Sequence, residues 1–332
     1  MSKTTKAYLA GLALAVGAGI GPAQAVDEIT VAYFLEWPTP NQFAQAKEIY
    51  EEELGVKINW RSFDAGTAMS AAMASGDVQI AFSQGIPPFV VATSAGQNLQ
   101  VVDVAVSYSE NDNCVVRSSL EIDQDNAKDL EGKEVGVPLG TAAHYGFLKQ
   151  MVHFGVDTST MKIVDMAPPD GAAAFANGNL DMVCGWGGAL RRMKEHGNVL
   201  LTGAEKEELG IQVFDATTVP SSWAKENPEL LAKFLKVTAD MNAKFAAGGE
   251  AEMLPVIAKA AGMDDDATAA TLAGFDFPTI DEQLSAKWLG GGTQTFLKEV
   301  ADFFVEQGTI DQALPSYEDA VDASYLEAAS KL

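Results

Sequence analysis

Gly132-Lys133-Glu134-Val135-Gly136-Val137-Pro138-Leu139-Gly140-Thr141-Ala142-Ala143-His144-Tyr145 reads as a strand, a break and a helix start in succession. Val135 to Val137 is a short apolar run with the character of a buried strand. Pro138 and Gly140 interrupt it, and Thr141 can cap a helix continued by Tyr145, Phe147, Leu148, Met151 and Val152. The unpaired N–H groups of such a helix start favour an anion. Alone, the stretch is an ordinary strand-to-helix turn. A second copy lies in the first half of the chain: Asp77 to Phe82 is strand-like, Ser83-Gln84-Gly85 ends it, and Pro87-Pro88 suits a first helical turn. Two such turns, one in each half, predict a ligand held between two lobes.

Residues 1–25 carry Lys3 and Lys6, an apolar run from Leu9 to Ile20 and an A-x-A site at Ala23-Gln24-Ala25, so a secretory signal removed near Val26 is expected. The roughly 300 residues that remain suffice for two domains. Net charge is −24, and −26 without Lys3 and Lys6. Such acidity argues against nucleic acid, whose phosphates require basic surface. Scattered acids usually form a solvated face, so the charge does not by itself demand a cationic ligand. The two cysteines, Cys114 and Cys184, could pair or be small buried residues; spacing does not decide, and the expectation leans to the second.

Ile29 to Tyr33 alternates as a strand, Asn41 to Leu54 has helical period, Val56 to Trp60 is a second strand, and Ala65 to Met73 is a helix of small residues. Leu99 to Val106 is a further strand, and Asp112 to Arg117 opens a different sheet. Strand and helix alternate again through Val135, Ile163 to Met166 and Leu180 to Cys184, and Val213 to Val219 is the next strand. Beyond Pro220 the pattern is largely helical. This order implies α/β architecture with mostly parallel sheets.

The order, together with Trp60-Arg61-Ser62-Phe63-Asp64, Ala74-Ser75-Gly76-Asp77-Val78-Gln79-Ile80, Leu130-Glu131-Gly132-Lys133, Asp181 to Trp186 and Glu306-Gln307-Gly308, resembles the periplasmic substrate-binding proteins of ABC importers, in the taurine and sulfonate branch. The resemblance spans nearly the whole mature chain. It implies a two-lobed, type II-like periplasmic-binding-protein fold with ligand in the cleft, lobe one from 26–107 plus 219–332 and lobe two from 108–218. Crossings would fall near Ser107 and near Asp215 to Thr217. It further implies a monomer that delivers a small taurine-like zwitterion to a permease, with no catalysis, cofactor or metal.

Charge then assigns roles within the cleft. A sulfonate is best met by neutral N–H and O–H donors, which Ser83, Gln84, Thr141, the backbone of Ala142 and His144 could supply. An ammonium needs a carboxylate or aromatic faces. Asp215 interrupts an apolar strand, so it is paired internally or meets a cationic ligand; the resemblance implies that it holds the amine. Asp112 and Glu36 are further candidate acids. Trp37 follows the first strand, and Trp186, flanked by Gly185 and Gly187, could present its ring to the cleft. The element Glu36-Trp37-Pro38 departs from the family pattern, and a betaine- or choline-like ligand would exploit the more acidic and aromatic pocket. An enzyme of related fold is disfavoured by two distant cysteines and no G-x-S-x-G. A sensory solute binder stays open.

Overall fold

The computed structural model describes residues 26–332; the expected signal segment lies outside the described residues. Among the described residues eleven strands follow one another as β1 (Glu28–Phe34), β2 (Lys57–Phe63), β3 (Ile80–Gly85), β4 (Leu99–Tyr108), β5 (Asp112–Arg117), β6 (Glu134–Val137), β7 (Lys162–Asp165), β8 (Met182–Trp186), β9 (Gly197–Val199), β10 (Val213–Pro220) and β11 (Phe275–Asp276). They form a six-stranded sheet of order β11-β4-β10-β3-β1-β2 and a five-stranded sheet of order β7-β6-β8-β5-β9. Helices flank both, as expected of two α/β lobes. Strand composition follows position. Central β3 is buried along its whole length, whereas edge β2 exposes Lys57, Asn59, Arg61 and Ser62.

Four expectations change. The sheets are mixed: β1 runs parallel to β2 and β3, but β10 is antiparallel to β3 and β4, and β5 is antiparallel to β8 and β9. Strands that carry the chain between lobes enter a sheet from the opposite end, so they reverse its direction. For the same reason β10 belongs to the first sheet, and the return crossing lies before Val213 rather than at Asp215 to Thr217. The 41–54 helix is two, Asn41–Ala46 and Ile49–Leu54, broken where Glu48 takes φ +57°. The leaning on cysteine is also corrected. Cys114 and Cys184 stand opposite each other in the β5–β8 ladder and are joined by a disulfide.

Candidate ligand-binding site

Phe34, Gly85, Tyr108 and Trp186 each end a strand, and all four line one cavity between the sheets. Trp37, Gly66, Pro88, Thr141, Ala142 and Asp215 complete the wall.

Asp215 is the polar centre on the first-sheet side. The β10 register shifts between Asp215 and Ala216, an irregularity of the kind that re-aims a side chain out of its ladder position. Tyr108 Oη donates to Asp215 Oδ1 and Ser83 Oγ donates to Oδ2, each at 2.7 Å. Trp37 Nε1 in turn donates to Ser83 Oγ at 3.0 Å. Ser83 holds φ +57°, a conformation costly for a residue with a Cβ, and this places its hydroxyl between the two partners. Burial pushes the Asp215 carboxyl up to about 7, the Tyr108 and Ser83 hydrogen bonds work against the rise, and the Asp112 carboxylate adds to it.

Aromatic rings surround this acid. Trp37 meets Tyr108 edge-to-face with centroids 4.9 Å apart, and Phe34 meets Trp186 at 5.9 Å. Helix starts from both lobes border the cavity. Helices Gly66–Ala74, Ile86–Ser94, Ala142–Phe154 and Gly187–Lys194 begin at or beside cavity-wall residues, and none has an acid in its first turn. Elsewhere first turns vary: acids stand at Asp170, Glu205, Glu250 and Asp265, whereas helices Asn41–Ala46, Ser221–Glu226 and Gly292–Glu306 have none. The starts at Gly66 and Ala142 thus have no first-turn acid to offset the positive end of the helix dipole, whereas the start at Gly187 meets Glu36, whose C=O accepts from Gly188 N–H.

The candidates from the sequence divide. Trp37, Thr141, Ala142, Trp186 and Asp215 stand in the cavity wall, and Ser83 supports it through Asp215. Thr141 caps its helix by accepting from the His144 N–H at 3.4 Å and donates its own hydroxyl to Pro138 O at 2.6 Å, so its backbone rather than its side chain is available. Gln84 is outside the wall, bonded to Gly66 O, Ser70 Oγ and Thr218 Oγ1. His144 accepts from Gly140 N–H through Nδ1 at 3.1 Å and packs on Phe304. Burial lowers it to about 4, so it is neutral at pH 7. Asp112 is buried and raised to about 7 by burial, with Lys206 opposing; one of its oxygens has no protein partner. Glu36 pairs with Arg192 at the edge of the cleft. Phe34, Gly66 and Tyr108 were not anticipated, and Gly85 and Pro88 only as parts of the second turn, although several end strands, where ligands of open α/β sheets sit.

Gly85 offers a direct test of occupancy. A Cβ there would stand 3.5 Å from Asp215 Oδ1 and 3.8 Å from Ala142 Cβ, ordinary contact distances that span the cavity. Gly85→Ala should therefore fold and bind weakly, and Gly85→Leu should fold and abolish binding. Calorimetry alongside thermal unfolding checks this; full affinity in Gly85→Leu would put the ligand elsewhere.

Two sheets closing on a cavity at their strand ends define a two-lobed solute-binding architecture. The chain belongs to the NMT1/THI5 like family, whose profile matches residues 39–247. It is 27% identical over 310 residues to the taurine-binding periplasmic protein of Escherichia coli (strain K12), covering 92% of this chain and 94% of that one. The alkanesulfonate-binding protein of Xanthomonas axonopodis pv. citri, solved with MOPS bound, superposes with TM-score 0.75 at 20% identity over 90% of this chain and 99% of its own. A desulfurization enzyme also shares the architecture, with TM-score 0.62 at 14% identity over 92% and 99% of the two chains. One fold thus carries both binding and catalysis, and function has to be argued from the site.

Proposed function

We propose that this chain is the periplasmic solute-binding component of an ABC importer, exported with loss of residues 1–25. Its ligand is taurine or a closely similar small amino-sulfonate, which it delivers to a permease. The observation that carries this reading is the division of charge inside one cavity. Asp215 and the Trp37, Tyr108 and Phe34 rings suit an ammonium, and acid-free helix starts at Gly66 and Ala142 suit a sulfonate. Similarity to the taurine-binding periplasmic protein supports it. Catalysis by a cysteine nucleophile is disfavoured because both cysteines of the chain are bonded to each other.

Calorimetry on ligand-stripped protein with taurine, ethanesulfonate and choline tests it: taurine should bind tightest. Tightest binding of choline would favour the quaternary-ammonium reading, which the aromatic wall alone would permit. The pH dependence follows from Asp215. An ammonium ligand stabilises the ionised carboxylate, so its pKa in the complex lies below the value of about 7 in the free site. Affinity should thus be constant from pH 7 up to the point where the ligand's own ammonium deprotonates, and fall by up to about tenfold per unit below pH 7. Neighbouring Asp112, also at about 7, makes the titration a property of the pair. A flat profile for taurine between pH 5 and 8 would remove the ammonium from Asp215.

A further inference from the structure

The loop after β1 crosses the cleft at Glu36. Its backbone N–H donates to Ala261 O at 2.8 Å, which fixes it to the first lobe, and its C=O accepts from Gly188 N–H at 3.1 Å in the second. Its carboxylate pairs with both terminal nitrogens of Arg192, the Oε2 contact being 2.9 Å. Glu36 adopts φ +54° to do this, unfavourable for a residue with a Cβ. Gly187 and Gly188 make the approach possible: a Cβ at Gly187 would lie 2.3 Å from Glu36 O, and one at Gly188 would lie 3.0 Å from Glu36 Cβ. The chain neighbours of these junction residues are Trp37 and Trp186, both in the cavity wall.

We propose that Glu36, Arg192 and the Gly187-Gly188 pair form a clasp between the lobes that positions Trp37 and Trp186 and sets how long a ligand stays bound. The clasp rests on the binding-protein reading for its use but on interlobe geometry for its existence. Glu36 and Arg192 act through the tryptophans, as positioning residues. A planar guanidinium meeting a carboxylate with two nitrogens gives direction as well as attraction. Both groups are partly exposed, so salt screens the pair. Glu195 and Asp64 are the nearby acids, one beside Arg192 and the other in the outer pocket that Glu36 and Arg192 also line.

Taurine release followed by tryptophan fluorescence, with solution scattering of the ligand-free protein, tests the proposal. Glu36→Gln and Arg192→Gln should each release taurine about twofold to fivefold faster, the effect of a favourable partly exposed pair. The double variant should release it no faster than the worse single, because both lose one interaction. Arg192→Lys, which keeps the charge but not the fork, should fall between wild type and Arg192→Gln. At low salt ligand-free wild type should be more compact than Glu36→Gln, and the difference should vanish at high salt. A wild type that binds no taurine yet is more compact than Glu36→Gln would reject the ligand and keep the clasp. Equal radii with equal release rates, or additive acceleration in the double variant, would reject the clasp and leave the ligand standing.

Discussion

Asp215→Asn is expected to weaken taurine by about 2 to 4 kcal/mol, roughly thirtyfold to a thousandfold, while leaving ethanesulfonate nearly unchanged. The raised pKa of about 7 against an ordinary 3.8 means that the empty site resists ionising this acid by about 4 kcal/mol. An arriving ammonium removes most of that resistance, and Asn has no charge with which to reward it. Ethanesulfonate uses only the helix starts, so it should be indifferent. The same shift has a sign for stability. Between about pH 4 and 7 the folded ligand-free protein holds a proton on Asp215 that the unfolded chain has lost, so this group makes stability fall as pH rises through that window. Asp112 acts likewise and His144 oppositely. Asp215→Asn should therefore flatten part of the decline while losing taurine. Calorimetry with both ligands decides: equal losses would make Asp215 an internal partner of Tyr108 and Ser83 only.

How far the site could be read from sequence depended on whether one residue's own neighbours revealed its role. Asp215 was legible because an acid inside an apolar strand demands a partner. Thr141 was legible because the break before it and the period after it mark a helix start. Gln84 was not, since beside Ser83 it looks equivalent. Adjacent strand residues face opposite ways, so Ser83 reaches Asp215 while Gln84 turns to Ser70 and Thr218. Glu36 was legible as an acid near the cleft but not as a link between lobes, because Arg192 lies 156 positions away. Tyr108 was read as a crossing; that its hydroxyl reaches Asp215 depends on the pairing of β4 with β10. The alternation of strand and helix disclosed the α/β class. It could not disclose the antiparallel strands that carry the chain across, because direction belongs to topology and not to local pattern.

Removing the disulfide should cost the chain a large share of its stability. Cys114 and Cys184 are 70 positions apart, and closing a loop of that length restricts the unfolded chain by about 4 kcal/mol in the loop-entropy model. Both are almost fully buried, so Cys114→Ala with Cys184→Ala avoids leaving a hydroxyl without a partner. Urea unfolding of this variant should show a midpoint lowered by the equivalent of about 2 to 4 kcal/mol. The consequence should reach the site. Asp112 stands opposite Trp186 in the same ladder, two positions from the bonded pair, so the bond ties the strand entering the second lobe to the strand that presents Trp186. Taurine affinity measured where the variant is still fully folded should fall less than in Asp215→Asn, because the β5–β8 hydrogen bonds persist. A stability loss under about 1 kcal/mol would mean that the unfolded chain is not appreciably restricted by the bond. A larger loss of affinity than in Asp215→Asn would instead make the ladder, rather than the carboxylate, the determinant of binding.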